Sequence, residues 1–265
     1  MNGKALRLKR LHAPHDGRMV ILPLDHGVSC GPIPGLQHMD EAIRVGIHGG
    51  ADALVLHKGM LRYLEPIHRP LPGIFLHLSA STQLGPAFHH KVLVGTVEEA
   101  VRRGADGVSV HINLGDDHEA DMLRDLGAVG NACALWQMPL LVMVYARGAH
   151  TPSPPPDAAI AHAARVAAEL GADVIKLPAP GDIDILAAIA STSPVPVVVA
   201  GGSKAPNVQA LLERVEMVLQ AGAHGVAMGR NIFQFEQPEK LLCIITAMVH
   251  AGLPASQAVE ELAGS

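Results

Sequence analysis

The sequence predicts an α/β protein folded as a single (β/α)8 TIM barrel over residues 1–265. Three observations carry that expectation. Eight short apolar runs of strand character recur along the chain, and helical periodicity fills most of the gaps between them. The helix-to-strand junction also repeats, as Gly50-Ala51-Asp52, Gly104-Ala105-Asp106, Gly171-Ala172-Asp173 and Gly222-Ala223-His224. A glycine just past a helix ends it in the left-handed conformation, and a strand follows within a few residues. Near-continuous apolar strands separated by helices mean a parallel sheet covered on both faces. Eight of them in a chain of this length suggest closure into a barrel. An open doubly wound sheet is the alternative, weakened because no Gly-rich dinucleotide fingerprint follows the first strand.

The strands are expected at Met19–Asp25, Ala53–Leu56, Gly73–Leu78, Gly107–His111, Leu140–Tyr145, Val174–Lys176, Val195–Ala200 and Gly225–Met228. The helices are expected at Asp40–Gly49, Thr96–Arg103, Asp117–Trp136, Asp157–Leu170, Asp182–Ala190, Val208–Ala221, Pro238–His250 and Ala255–Ala263. Asp157 suits the positive end of a helix, and Pro238 a first turn. Val28–Leu36, Ser79–Gly95 and Arg147–Pro156 read as long loops. The last, rich in Pro and Gly, reads as an ordered lid or an oligomer contact.

Composition excludes several classes. A net charge of −5 leaves no footprint for nucleic acid, and 3% aromatic residues supply no stacking platform. No apolar run approaches membrane-spanning length, and no apolar signal core follows the basic N-terminus. Cys30, Cys133 and Cys243 are far apart and odd in number, which fits a reducing cytoplasm better than a disulfide framework. The 16 histidines are mostly scattered, and His89-His90 lacks metal-site spacing, so neither metal nor cofactor is expected.

Barrel active sites gather at the C-terminal strand ends. All eight ends carry polar residues. They are Asp25-His26, His57-Lys58, His77-Leu78-Ser79, His111-Ile112-Asn113, Tyr145-Ala146-Arg147, Lys176, Gly201-Gly202-Ser203-Lys204 and Gly229-Arg230. The last two ends read as a phosphate cradle. Gly201, Gly202 and Gly229 let backbone N–H groups approach an anion, while Ser203, Lys204 and Arg230 add donors and charge. The alternative is a pair of tight turns with ordinary surface charges.

An apolar strand ending on Lys176 is unusual, because a buried ammonium must find a partner or lose its proton. A neutral lysine amine forms Schiff bases with carbonyl compounds. Otherwise Lys176 simply reaches water from a strand end. As an iminium, Lys176 would make a proton on the adjacent carbon removable. Tyr145 would take or return that proton. Asp25 would accept from a hydroxyl, shuttle a proton or hold the lysine. Against this, Asp25 can be a loop cap and Tyr145 a buried hydroxyl with a structural partner. His26, Ser79 and Arg147 are candidates for gripping the far end of an acceptor.

Pro23-Leu24-Asp25-His26-Gly27-Val28-Ser29, Leu56-His57-Lys58-Gly59, Val110-His111-Ile112-Asn113, Tyr145-Ala146-Arg147-Gly148, Gly201-Gly202-Ser203-Lys204 and Gly229-Arg230-Asn231-Ile232-Phe233-Gln234 resemble the archaeal-type class I aldolases. Within them the branch of 2-amino-3,7-dideoxy-D-threo-hept-6-ulosonate synthase is most similar, over nearly the whole chain. The resemblance implies a metal-independent aldolase with Lys176 as Schiff-base lysine, Tyr145 as acid/base, Asp25 as partner, and phosphate at Gly201–Lys204 and Gly229–Arg230. It also implies a ring-like homo-oligomer, often a decamer. The implied partners are a phosphorylated ketone donor and a small aldehyde acceptor.

Three positions depart from the family. Met143 stands where the fructose-bisphosphate aldolase branch carries Trp, Ala146 where Pro is usual, and Leu177-Pro178 where a more polar continuation is usual. The branch implies two reactions on L-aspartate 4-semialdehyde. One transfers a unit from a deoxy-ketohexose phosphate, toward dehydroquinate. The other uses dihydroxyacetone phosphate directly and makes 2-amino-4,5-dihydroxy-6-oxo-7-(phosphonooxy)heptanoate, a precursor of 3-amino-4-hydroxybenzoate. A composition like that of GC-rich bacterial chains favours the second. Fructose 1,6-bisphosphate cleavage and a non-catalytic phosphosugar-binding barrel are the remaining alternatives.

Overall fold

The computed structural model describes residues 3–13, 15–202 and 204–264. In chain order, α1 (Gly3–Leu8) precedes β1 (Met19–Pro23), and α2 (His26–Cys30) and α3 (Met39–His48) precede β2 (Ala53–Leu56). A 3-10 helix (Lys58–Tyr63) leads to β3 (Gly73–His77), and the ladder of β4 (Ser79–Ala80) with β5 (Val92–Leu93) follows. Strand and helix then alternate through α4 (Val97–Arg102), β6 (Gly107–Leu114), α5 (Glu119–Trp136), β7 (Leu140–Ala146), α6 (Asp157–Glu169), β8 (Val174–Pro178), α7 (Ile183–Thr192), β9 (Val197–Ala200), α8 (Val208–Gln220) and β10 (Gly225–Ala227). The helices α9 (Arg230–Phe233), α10 (Pro238–Ala251) and α11 (Ala255–Ala263) complete the described chain.

Eight strands close into a parallel barrel in the order β1-β10-β9-β8-β7-β6-β3-β2. This is the expected (β/α)8 architecture. Strand alternation divides its core in two. Met19, Ile21, Val55, Phe75, Leu141, Met143, Val174 and Val198 fill the barrel interior. Their neighbours Val20, Leu22, Leu54, Leu76, Val142 and Ile175 pack outward against the helices. The N-terminal segment plugs the interior from below. Leu11 is fully buried in the inner cluster, and Arg10 passes so close to β3 that a side chain on Gly73 would meet its carbonyl oxygen.

The repeated junctions explain themselves in the structure. Gly50, Gly104, Gly171 and Gly222 all have positive φ, between 75° and 98°. The following acid caps the start of the preceding barrel strand. Asp52 Oδ2 accepts from Val20 N at 2.6 Å, Asp106 Oδ2 from Ile74 N at 3.1 Å, and Asp173 Oδ2 from Leu140 N at 2.9 Å. Each acid also meets a basic group: His250 at 2.9 Å, Arg10 at 2.9 Å and Lys4 at 2.8 Å, respectively.

Some boundaries differ from expectation. β6 runs past His111 to Leu114 because Asn113 and Leu114 pair with Tyr145 and Ala146 of β7. β1 stops at Pro23, and β9 starts at Val197, after Pro196, which has no N–H for a ladder. The loop expected at Val28–Leu36 begins inside α2. Arg147–Pro156 stays irregular but is tied down, with Arg147 N donating to Leu114 O and His150 N to Gly115 O. No helix among the described residues is long and apolar enough to cross a membrane.

Candidate active site

Lys176 lies two residues beyond Val174, so strand alternation turns it into the barrel above the inner core. It is 6% exposed, which removes the reading of a strand-end lysine reaching water. Its register partner on β7 is Met143, whose Sδ is 3.9 Å from Nζ. The position where one branch of the resembling family carries Trp therefore faces the amine directly. Two residues further along β7, Tyr145 points the same way, into the same cavity.

That cavity holds about 460 Å³ at the C-terminal mouth and brings together Asp25, His26, His111, Tyr145, Arg147, Lys176, Gly201, Gly202, Gly229 and Arg230. Asp25 precedes α2 but makes no capping hydrogen bond, so the cap reading does not hold. Its Oδ2 lies 3.7 Å from His77 Nε2, and its Oδ1 3.7 Å from His26 Nδ1. Among the described residues, neither Asp25 Oδ1 nor His26 Nδ1 has a hydrogen-bond partner. A buried carboxylate oxygen left unmatched in a cavity marks a place for an incoming polar group. Burial by itself would raise the Asp25 carboxyl. In acid, where the neighbouring imidazoles take up protons, the charges of His77 and His26, with those of Lys176 and His57, outweigh burial and hold it below the usual carboxylate range.

The imidazoles around it stay neutral near neutral pH. Burial pushes His77 down to about 3 against the opposing pull of Asp25. Burial also lowers His26, His57 and, most strongly, His111. Neutral His77 Nδ1 pairs with Ser109 Oγ at 2.8 Å, while its ring meets His57 edge-on at 5.1 Å. Tyr145 is held from its faces: the His111 ring centroid lies at 4.9 Å and the Arg147 guanidinium at 4.7 Å. His111 Nε2 is in turn 3.0 Å from Asn113 Oδ1, and Asn113 Nδ2 donates to His89 O at 2.7 Å.

The glycine side of the cavity is braced by the segment after β10. Asn231 Nδ2 donates to Gly201 O at 3.0 Å, and Arg230 Nη2 to Gly202 O at 3.2 Å. Gly202 has φ of +68°, and a side chain on Gly229 would strike the His26 ring at 2.6 Å. Backbone and cation thus face the cavity where a bulkier loop would block it.

Four of the expected binding residues stand elsewhere. His57 and Lys58 line a neighbouring cavity of about 680 Å³ that shares Asp25. Lys58 starts the 3-10 helix and reaches outward, to Glu99 Oε2 at 3.1 Å and Val94 O at 2.7 Å. Ser79 Oγ accepts from His111 N at 3.0 Å, so it ties β4 to β6 and does not line the 460 Å³ cavity. Lys204 is exposed and outside that lining, and Ser203 lies outside the described residues.

His77 and Asn113 stood at the expected strand ends and Asn231 in a family-like motif, none with a role, and Lys91 was not singled out; all four are buried and polar. Strand alternation from Phe75 to His77 and from His111 to Asn113 would have pointed to the first two. Nothing local marks Lys91, which enters from the irregular segment before β5. Among the described residues, two histidine–carboxylate groups, His15–Asp16–His250 and His90–His118–Asp121, are close enough to share an ion; both lie outside the 460 Å³ cavity.

A parallel barrel with a buried lysine at its mouth, beside a tyrosine and an unmatched carboxylate, holds the groups that Schiff-base chemistry requires. The chain belongs to the DeoC/LacD aldolase family, whose profile matches residues 19–235. It is 41% identical over 247 residues to a 2-amino-4,5-dihydroxy-6-oxo-7-(phosphonooxy)heptanoate synthase of Streptomyces griseus, covering 93% of this chain and 90% of the relative. It is 39% identical over 249 residues to a 2-amino-3,7-dideoxy-D-threo-hept-6-ulosonate synthase of Halobacterium salinarum, covering 94% and 92%. Among solved structures, an archaeal fructose-1,6-bisphosphate aldolase with its catalytic Lys covalently bound to the carbinolamine intermediate superposes with a TM-score of 0.85 at 29% identity, covering 94% of this chain and 99% of the other. The protein is an enzyme, an aldolase of the Schiff-base class and a carbon–carbon lyase.

Proposed function

We propose that the enzyme joins dihydroxyacetone phosphate to L-aspartate 4-semialdehyde, giving 2-amino-4,5-dihydroxy-6-oxo-7-(phosphonooxy)heptanoate. The observation that carries this reading is the buried Lys176 amine sharing one cavity with Asp25 and Tyr145, with a glycine cradle at one side. The 41% identity to a synthase named for that product supports it.

The Lys176 amine adds to the ketone carbon, and the carbinolamine loses water to give an iminium. The iminium is an electron sink, so no Lewis acid is needed to acidify the neighbouring hydroxymethyl carbon. Tyr145 takes that proton, leaving an enamine. The enamine carbon attacks the aldehyde, forming the C–C bond, and the new alkoxide takes a proton back from Tyr145. Water then hydrolyses the product iminium and frees Lys176. Asp25, held as a carboxylate, accepts from the hydroxyl on the attacking carbon and fixes the face it presents. Gly201, Gly202, Gly229 and Arg230 hold the phosphate.

Mass spectrometry of the product tests the reading. Dihydroxyacetone phosphate with aspartate semialdehyde gives the seven-carbon phosphate in the presence of EDTA. Product formed only from a deoxy-ketohexose phosphate donor would move the enzyme to the transaldol reaction. The working form is a cytoplasmic homo-oligomer. Leu135 and Trp136, 78% and 42% exposed at the end of α5, support a contact between copies. Sedimentation giving only the 27.7 kDa monomer would contradict it.

A further inference from the structure

Lys91 has no part in the chemistry above. It is 7% exposed, yet it lines the active cavity. Its Nζ donates to Ser81 Oγ, whose hydroxyl donates on to Phe88 O, and it sits 4.7 Å over the Phe88 ring. Arg147 lines the same cavity from the rim. Among the described residues no carboxylate lies within 4.0 Å of either cation. A buried ammonium with no anion in contact is costly; Asp25 opposes that cost only from beyond 4.0 Å, and Arg147 adds to it.

Topology says which part of the substrate could supply the anion. Asp25 follows β1 and Lys176 sits on β8. In barrel order they divide the mouth into two arcs. The arc of β10 and β9 carries Gly201, Gly202, Gly229 and Arg230, including every glycine that lines the cavity. The arc of β7, β6 and β3 carries Arg147, His111 and, through the segment after β3, Lys91. A ketone fixed on Lys176 with its phosphate in the first arc turns its nucleophilic carbon toward the second. We infer that Lys91, with Arg147 at the rim, binds a carboxylate on the acceptor aldehyde and so selects carboxylated acceptors. This inference rests on the Schiff-base reading of Lys176. A carboxylate fits better than a second phosphate, because this arc offers side-chain donors and a ring face but no glycine backbone.

The test compares aspartate semialdehyde with butanal, an uncharged aldehyde of the same chain length, using dihydroxyacetone phosphate as donor. In Lys91→Met the ratio of kcat/KM for the two falls about tenfold or more, through KM for aspartate semialdehyde. Lys91→Arg recovers part of the ratio, and Arg147→Met shifts it in the same direction. Equal losses on both aldehydes would overturn the inference, as would a wild-type preference for glyceraldehyde 3-phosphate over aspartate semialdehyde. Should Lys91→Met not fold, Lys91→Gln decides the same ratio. Borohydride trapping of the donor on wild-type Lys176 separates the two failures. Without an adduct the underlying reading fails, whereas an adduct with an unchanged ratio sinks only the role of Lys91.

Discussion

In the proposed mechanism Tyr145 and Lys176 act at different steps, and substitutions at each should therefore fail differently. Lys176→Met removes the nucleophile and abolishes activity with the fold intact. Tyr145→Phe keeps the amine and forms the iminium, but loses the proton carrier. Its kcat falls by about 10²- to 10⁴-fold while borohydride still traps the donor. Loss of trapping in Tyr145→Phe would contradict this division of labour. Asp25, Tyr145 and Lys176 could be read from the sequence because each sits at the end of an apolar run. His57, Lys58 and Ser79 stood at strand ends too, yet the cavity excludes them. Being near a strand end does not fix which way a side chain points. The 3-10 helix at Lys58 turns that residue outward, while the end of β3 at His77 leaves Ser79 to bridge to His111.

The helix-to-strand junctions tie the barrel together from below. Their glycines were legible as turns, but the role of their acids was not, because each cap joins residues more than 30 positions apart. The basic N-terminus likewise had no visible purpose until Lys4 and Arg10 met Asp173 and Asp106. At the junction before β2 the acid's basic partner is a histidine. His250 on α10 pairs with Asp52 at 2.9 Å and with Asp16 at 2.8 Å. The hydrogen bond to Asp52 raises its pKa above the ordinary value, with Asp16 adding and burial opposing. A raised folded-state pKa means stability that is fully present below the unfolded value of about 6.5. It is lost as pH rises through the folded value. The stability gap between wild type and His250→Gln in urea melts should accordingly be widest near pH 6 and narrow toward pH 9. Burial, the largest single effect on Asp16, raises it, but the hydrogen bonds from His250 and Arg18 N and the charges of His250 and His15 together lower it, so the pair also weakens in acid as Asp16 takes up its proton. A gap independent of pH would show that His250 serves only by packing.

The barrel separates stability from chemistry along its axis. Leu11, Met19, Phe75 and Val174 fill the lower interior, while Lys176, Tyr145 and Asp25 occupy the mouth. Leu11→Ala should cost about 2–5 kcal/mol in chemical denaturation, as expected for a buried core leucine. It should leave the donor's affinity at the mouth unchanged in the fraction that stays folded. The overall architecture was legible because eight apolar runs and four repeated junctions state it redundantly. Lys91 was not, because an irregular segment carries no period from which its direction can be read. Two buried lysines, Lys176 and Lys91, line the same cavity, and the proposed mechanism has Lys176 bond to the substrate. The direct measurement is borohydride reduction in the presence of dihydroxyacetone phosphate, followed by peptide mapping. A single adduct on the peptide containing Lys176 is the predicted result. An adduct on Lys91, or a folded protein with none, would contradict it.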